Sequence, residues 1–170
     1  MACIVPYNNI TPAIATDAFI APTAAIIGDV KIYTQASIWF GCTLRGDVNN
    51  IIIGARSNIQ DGTIIHVATK GQGTYVGEDV TVGHGAILHA CTVGDLAFIG
   101  MQACIMDDVT VKPQAMVAAG ALVTPGKTIP SGELWGGRPA RKMRDLTGEE
   151  RAFLKHSADR YVMLSRNYLE

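Results

Sequence analysis

The chain has 170 residues, of which 48% are hydrophobic and 17% are charged. It is therefore long enough for one domain with a buried core, and it lacks the polar composition of a disordered protein. The formal net charge is −1, but only five of the 14 basic residues precede position 127, against nine acidic ones, which argues against a nucleic-acid-binding face on the main body.

The N-terminal residues 1–10 lack the charged start and long apolar stretch of a secretory signal. No apolar run approaches the roughly 18 residues that a membrane span needs. The four cysteines (Cys3, Cys42, Cys91 and Cys104) form no Cys-x-x-Cys pair. We therefore expect a cytoplasmic protein without a membrane partner, whose cysteines are free thiols that serve as small buried hydrophobic residues.

Aliphatic residues recur every six positions through most of the chain. The series needs three phase adjustments, and every position in it is Ile, Leu or Val: Ile14, Ile20, Ile26, Ile32, Ile38, Leu44, Ile53, Ile59, Ile65, Val76, Val82, Leu88, Val93, Ile99, Ile105, Val111, Val117 and Val123. A small residue usually follows four places later, and Gly often follows directly, as at Gly54 and Gly83.

A period of six fits neither a helix nor a sheet with two alternating faces. It is typical of a parallel β-helix, in which each hexad is one short strand and one corner, with the aliphatic residue inside. We expect the small residue to fit the corner and Gly to allow unusual backbone angles. Because three hexads close one coil, the pattern predicts an all-β solenoid of about six triangular coils over residues 1–129.

Residues 130–170 are predicted to be a connecting segment followed by a C-terminal α-helix. The connection is rich in turn residues, and Thr147 with Glu150 has the spacing of a helix capping box. The helix should run from Gly148 to about Tyr168 and pack on the β-helix or on a neighbouring subunit. His156, on this helix, is assigned a structural role.

Two histidines fall in one column of the predicted solenoid. His66 and His89 each follow a third-face aliphatic residue in successive coils, so their backbones should lie about 4.8 Å apart, with both side chains pointing outward. Imidazoles at this spacing can share a metal through bonds of about 2.0–2.1 Å. Arg45 occupies the same column one coil earlier.

A third histidine, His84, falls on the second face, directly above Asp61 and beside Gln60. It would meet His66 and His89 only if the second face of one subunit contacted the third face of another. Cyclic symmetry allows this contact, so we predict a homotrimer with three interfacial three-histidine metal sites. A lone histidine is more often structural, Asp61 could be a simple corner residue, and Arg45 with Asp47 could be an ordinary surface ion pair.

These motifs resemble the γ-class carbonic anhydrase family over nearly the whole chain. The matching segments are Leu44-Arg45-Gly46-Asp47, Asn58-Ile59-Gln60-Asp61-Gly62, His66, and Val82-Gly83-His84 with His89. The resemblance implies a left-handed winding, and zinc, or iron or cobalt, bound at trimer interfaces by His66, His84 and His89. It further implies reversible hydration of CO₂ to bicarbonate by a metal-bound hydroxide, a carbonate dehydratase (lyase) activity.

The same resemblance assigns roles to the remaining motif residues. Arg45 with Asp47 and Asp61 would form an ion pair between subunits, and Gln60 would hydrogen-bond the metal-bound solvent. Asn58, in the same motif, and Tyr161, which matches an active-site tyrosine, complete the candidate catalytic residues.

The chain departs from the best-known family pattern at its proton-transfer residues. Val48 stands where Glu is expected, residues 67–75 contain no acid, and Met163 replaces an expected asparagine. We therefore expect buffer to accept the proton directly, or the protein to do different work. A hexapeptide acyltransferase with one histidine as general base, an acyl-CoA thioesterase, and a non-catalytic binding or assembly protein remain alternatives.

Overall fold

A computed structural model describes residues 2–169. Met1, where the first predicted segment begins, and Glu170, where the second ends, lie outside the described residues. The elements in chain order are β1 (Cys3–Val5), β2 (Ala13–Ile14), β3 (Phe19–Ile20), β4 (Ala25–Ile32), β5 (Ser37–Ile38), β6 (Thr43–Ile53), β7 (Asn58–Ile59), β8 (Ile64–His66), β9 (Thr74–Val76), β10 (Thr81–Val82), β11 (Ile87–His89), β12 (Thr92–Val93), β13 (Phe98–Ile99), β14 (Cys104–Ile105), β15 (Thr110–Val111), β16 (Met116–Val117), β17 (Leu122–Val123), β18 (Thr128–Ile129), β19 (Glu133–Gly137), β20 (Ala140–Asp145) and α1 (Gly148–Arg166). They form a left-handed parallel β-helix with one C-terminal helix, so the predicted fold is confirmed.

The strands stack into three faces. The first face contains β2, β9, β12, β15 and β18, the second contains β3, β5, β7, β10, β13, β16 and β19, and the third contains β1, β8, β11, β14 and β17. The longer strands β4 and β6 pass from the third face to the first. Each strand therefore pairs in parallel with the strand one turn away, and the register of the side chains follows from the hexad count.

The core consists of the repeated aliphatic residues together with small corner residues such as Ala24 and Cys42. Ile38, Leu44 and Ile65 are fully buried, as hydrophobic burial inside a narrow prism requires. Three residues outside the periodic series stack on members of it as register partners of neighbouring strands. Ile4 pairs with Ile26, Ile129 with Val111, and Trp135 with Val117. The solenoid consequently has about seven turns.

The glycines that follow the aliphatic residues serve a different purpose from the expected one. Gly54, Gly83 and Gly100 do not adopt a positive φ. Instead, a Cβ on Gly83 would lie 2.7 Å from the backbone nitrogen of Met101, and one on Gly100 would lie 2.4 Å from that of Ala119. Close approach of successive coils, rather than unusual backbone angles, therefore requires glycine here.

The connecting segment is more regular than expected. Strands β19 and β20 form an antiparallel hairpin that extends the second face at the C-terminal end. The capping box of α1 is present, with Thr147 and Glu150 bonded to each other's backbone N–H, but the helix ends at Arg166, two residues before the predicted end. Leu154 of the helix packs with Leu134 of the hairpin.

The cysteines are free, as expected, but they differ in burial. Cys42 and Cys91 are buried, Cys104 is partly buried, and Cys3 is exposed, so the expected core role is wrong for Cys3. Burial raises the pKa of Cys91 to about 12 and that of Cys42 to about 11. Between residues 2 and 169, no helix is long and apolar enough to span a membrane.

Candidate functional site

His66 and His89 lie side by side on the third face. They are register partners at the ends of β8 and β11, because each follows an inward-facing aliphatic residue by one position. Nδ1 of His66 lies 3.3 Å from Nε2 of His89, and both rings are part-buried. The hexad arithmetic therefore correctly predicts this imidazole pair.

Each of these two imidazoles has a carboxylate on its other ring nitrogen. Nε2 of His66 lies 3.0 Å from Oδ1 of Asp47, and Nδ1 of His89 lies 2.8 Å from Oδ1 of Asp107. A ring N–H that donates to a carboxylate leaves the opposite nitrogen free as an acceptor or ligand. Asp107 is absent from the residues predicted from the sequence, although its position could have been found: it lies two places after Ile105, in the coil that follows His89.

Asp47 is the most constrained carboxylate of this group. Arg45, two residues earlier in β6, forms an ion pair with Asp47. Desolvation by burial would raise the pKa of Asp47, but the hydrogen bonds with His66 and Arg45 outweigh it, and the pKa lies below its ordinary value. Asp47 therefore stays ionised as the acceptor for His66. Within the chain, Arg45 bonds to Asp47; the bond to Asp61 of another subunit stays a prediction.

His84 lies on the second face, away from this pair. Its Nδ1 lies 2.9 Å from Oδ2 of Asp61, and both side chains are almost half exposed. The contact follows from register, because β7 and β10 are neighbours and each residue lies two places after the inward-facing one. His84 therefore has the same imidazole–carboxylate arrangement as His66 and His89.

Gln60 and Asn58 lie beneath α1 on the same face. Nε2 of Gln60 donates to Oδ1 of Asn58 at 3.0 Å, and Nδ2 of Asn58 donates to the carbonyl of Val80 and to Oγ1 of Thr81. Asn58 is fully buried, while Gln60 is 6% exposed. The amide nitrogen of Gln60 is thus directed inward, which leaves its carbonyl oxygen for the cleft.

Two clefts meet at Gln60. One, of about 350 Å³, is mostly apolar and also contacts His84, Phe98 and Met116. The other, of about 270 Å³, lies along α1 and is lined by Tyr161 and His156 among others. Burial and the nearby Asp61 raise the pKa of Tyr161. The structure therefore brings Tyr161 close to Gln60 as the sequence suggests, and it also brings His156, assigned only a structural role, to the edge of this region.

The predicted site residues, with Asp107 added to them, thus form two groups in one chain. The third-face group contains Arg45, Asp47, His66, His89 and Asp107, and the second-face group contains Asn58, Gln60, Asp61, His84 and Tyr161. Over residues 2–169, no three His, Cys, Asp or Glu side chains converge in a geometry that could hold a metal ion. One chain therefore offers at most a pair of the predicted ligands at one point.

Sequence relatives place the chain in a family. It is 52% identical over 161 residues to gamma carbonic anhydrase 2, mitochondrial, of Arabidopsis thaliana, a match that covers 92% of this chain and 58% of the plant protein. It is 42% identical over 165 residues to a carbonic anhydrase of Geobacillus kaustophilus, with 97% of this chain and 90% of that one covered. The chain belongs to the gamma carbonic anhydrase family.

The solved structures agree with this assignment at the level of the fold. A hexapeptide transferase family protein from Anaplasma phagocytophilum matches this gamma carbonic anhydrase family member with a TM-score of 0.94 and 49% identity over 98% of both chains. No protein-family model matches the chain. The chain spans a little more than half the length of the plant relative.

One loop of this gamma carbonic anhydrase family member lies beside the third-face group. Residues 67–73, between β8 and β9, contain no acid. Asn49 donates to the carbonyls of Ala68 and Gly71, and Gln72 donates to that of Ala90. The loop is therefore held against the solenoid by amide side chains, beside the third-face group, and offers no carboxylate to it.

Proposed function

We propose that this chain is a metal-dependent carbonic anhydrase that catalyses the reversible hydration of CO₂ to bicarbonate at sites between the subunits of a homotrimer. The observation that carries the proposal is the pairing of His66 with His89, in which two ring nitrogens lie 3.3 Å apart while the other two contact carboxylates. Membership of the gamma carbonic anhydrase family supports the same activity.

The donor set fits zinc. Two ligands of one tetrahedral zinc, each bonded at about 2.0–2.1 Å, are about 3.3–3.4 Å apart, which matches the separation of the two facing nitrogens. When Asp47 and Asp107 accept the ring N–H groups, two lone pairs face each other, and a cation between them relieves that repulsion. Iron or cobalt would suit imidazole ligands as well.

The third ligand in this proposal is His84 of a neighbouring subunit. Next to His66 and His89, the third face exposes Ile64 and Ile87, which are 48% and 42% exposed. Apolar side chains in adjacent coils beside two potential ligands form a surface that another subunit would cover. A threefold head-to-tail arrangement would repeat this contact three times and close the ring.

The chain's own residues position the groups that react. His66, His84 and His89 would hold a divalent metal as neutral imidazole ligands, and the metal would act as a Lewis acid that makes hydroxide available from water near neutral pH. Asp47, Asp61 and Asp107 hold the imidazoles. Gln60, anchored to Asn58 through its amide nitrogen, would accept a hydrogen bond from the reacting groups through its carbonyl oxygen.

Arg45 and Tyr161 would complete the site from its two sides. Arg45 neutralises Asp47 and is nearly half exposed, so it remains able to reach a carboxylate of a neighbouring subunit such as Asp61. The ring of Tyr161 packs edge-on against Trp39 with centroids 5.4 Å apart. Tyr161 also lines the cleft of about 270 Å³ together with Gln60, and Asp61 is near enough to raise its pKa.

A second candidate activity is acyl transfer or thioester hydrolysis. The apolar cleft of about 350 Å³ beside Gln60 and His84 is far larger than CO₂ requires and has the size of a small-ligand pocket. His84, oriented by Asp61, would then serve as a general base. This alternative needs His84 but does not use the pairing of His66 with His89.

Metal analysis of the purified protein tests the site. We expect about one metal ion per chain, and loss of that ion in His66→Ala and in His84→Ala, while His156→Ala retains it as a matched histidine control. Mixing His66→Ala with His84→Ala should restore some sites in hybrid trimers, because one subunit supplies each missing ligand. No recovery would show that the ligands do not come from two chains.

Stopped-flow CO₂ hydration by the metal-loaded protein tests the activity. Because residues 67–73 lack an acid, we expect turnover to rise with buffer concentration as buffer takes the proton. Lack of activity with zinc, iron and cobalt, together with hydrolysis of acyl thioesters, would favour the second candidate. Lack of both activities would favour a non-catalytic binding or assembly protein.

A further inference from the structure

A chain of buried hydrogen bonds links α1 to Gln60. Oγ of Ser157 lies 2.9 Å from Oγ1 of Thr81, Oγ1 of Thr81 accepts from Nδ2 of Asn58 at 3.0 Å, and Oδ1 of Asn58 accepts from Nε2 of Gln60 at 3.0 Å. These residues are at most 6% exposed. Asn58 and Thr81 are register partners in β7 and β10, and α1 covers them.

The polarity of this chain is determined at Asn58. The carbonyl of Val80 can only accept, so the group of Asn58 that faces it at 3.3 Å must be the NH₂. The carbonyl oxygen of Asn58 then faces Gln60, which must in turn present its NH₂ to Asn58. As a result, the carbonyl oxygen of Gln60 points toward the cleft.

Thr81 and Ser157 reinforce this polarity. A hydroxyl has one hydrogen, so a Thr81 that donates to Ser157 offers only a lone pair to Asn58. Without Ser157, the hydroxyl hydrogen of Thr81 could turn to Asn58 and compete with the carbonyl of Val80 for the orientation of that amide. Gln60 would then present a donor, instead of an acceptor, to whatever occupies the cleft.

We propose that Thr81 and Ser157 are positioning residues that keep the carbonyl oxygen of Gln60 directed at the reacting groups. For its effect on catalysis, this inference rests on the proposed carbonic anhydrase function. The C-terminal helix thereby takes part in the site through Ser157 as well as through Tyr161. Ser157 lies on the buried side of α1, next to Ala158, so sequence periodicity alone marks it as a packing residue.

Matched variants separate positioning from packing. Thr81→Val keeps the side-chain shape and removes the hydroxyl, whereas Thr81→Ser keeps the hydroxyl. Ser157→Ala removes the second hydroxyl. Ser165→Ala is the control, because Ser165 is another buried serine on the same helix. Among residues 2–169, its hydroxyl bonds only to the carbonyl of Val162.

The first readout is the rate at which the Gln60 side-chain NH₂ protons exchange with water. This rate is measured by NMR without added metal. Thr81→Val leaves the NH₂ of Asn58 held only by its 3.3 Å bond to the carbonyl of Val80, so the Gln60 NH₂ should turn to the open cleft more often. We therefore expect exchange to be at least about tenfold faster in Thr81→Val and faster in Ser157→Ala, and unchanged in Thr81→Ser and Ser165→Ala. Unchanged exchange in Thr81→Val would overturn the proposal, whatever the catalytic activity.

The second readout is kcat/KM for CO₂ in the zinc-loaded protein. We expect Thr81→Val to lower it about tenfold, as loss of a group that supports a metal site does, and Thr81→Ser to restore it. In a Gln60→Ala background, Thr81→Val should cause no further loss, since both changes remove the same interaction. Equal losses in Ser165→Ala, or additive losses with Gln60→Ala, would point to general packing and contradict positioning.

The two readouts also separate this proposal from the proposed function. If the zinc-loaded wild-type protein does not hydrate CO₂, the proposed function fails while the exchange measurement still decides the orientation of Gln60. If the wild type is active and the exchange rates do not respond to Thr81→Val, the positioning proposal fails alone.

Discussion

The three histidines of the two groups share one arrangement. His66 contacts Asp47, His84 contacts Asp61 and His89 contacts Asp107, each at 2.8 to 3.0 Å between ring nitrogen and carboxylate oxygen. Such a carboxylate selects the tautomer and the orientation of a ligating imidazole and raises its basicity. His84 has the same imidazole–carboxylate contact although it lies on another face. This supports a common role for all three histidines.

Asp107 offers a test at this scale. Asp107→Asn should weaken zinc binding about tenfold, because the amide is a poorer acceptor for the N–H of His89. Zinc affinity would be measured by competition with a chelator. Asp108→Asn, an exposed neighbour with the same change in charge, is the control and should bind zinc like the wild type. Equal weakening in both variants would indicate a general charge effect.

Sequence reasoning found the histidines but not all of their partners. The inward residue of each hexad defines a column, so the positions of His66, His89, His84 and Asp61 follow from counting. The positions of Asp107 and Thr81 could also be counted from the hexads, but the count carries no information about which side chain in the next coil each one contacts. Their roles therefore required the structure.

Helix α1 is the element that joins packing to the candidate site. Its buried residues pack on the second face. Arg56 on the solenoid pairs with Asp79, also on the solenoid, and with Asp159 of α1. The same helix carries Ser157 and Tyr161. Its docking therefore determines the surroundings of Gln60, and the start of the helix contributes to that docking through its capping box.

Glu150 makes the helix start sensitive to acid. Hydrogen bonds from Arg144 and from the backbone of Thr147 lower the pKa of Glu150 from 4.5 to about 2. Since the pKa is lower in the folded state, Glu150 contributes stability above about pH 4.5 that is lost as the pH falls to about 2. Glu150→Gln should therefore melt at a lower temperature than the wild type at pH 7, and this difference should shrink toward pH 3.

Glu149→Gln provides the comparison for that measurement. It makes the same change in charge in the first turn, but Glu149 does not belong to the capping box. A difference in melting temperature that is independent of pH, or equally large in Glu149→Gln, would contradict the role of Glu150. The melting temperatures of both variants and the wild type can be measured by circular dichroism during thermal unfolding at several pH values.

At the level of elements, the regular part of the chain was predictable and the hairpin was not. Hexads dictate strand positions because each turn repeats the same corner geometry. Strands β19 and β20 pair in an antiparallel manner, outside this repeat, and their turn residues suggested only a connection. The glycine positions could be read from the sequence. The contacts that require them, such as Gly83 against Met101, are made between coils and could not.

The whole molecule presents its candidate site as two separate surfaces. The third face carries the imidazole pair beside exposed Ile64 and Ile87, and the second face carries His84, Asp61 and Gln60 around an apolar cleft. A rigid solenoid cannot fold one face onto another. If both surfaces belong to one site, association of subunits must bring them together, and metal binding and assembly must then be thermodynamically linked.

This linkage predicts that metal removal weakens the proposed trimer. A metal that binds only the assembled form stabilises it, so the chelated protein should dissociate at a higher concentration than the zinc-loaded protein. Sedimentation velocity over a dilution series would measure both midpoints. His84→Ala should dissociate like the chelated protein with or without zinc, whereas His156→Ala should follow the wild type. A zinc-loaded monomer that keeps its ion on dilution would contradict the shared site, because in one chain the third-face pair would then be sufficient to hold it.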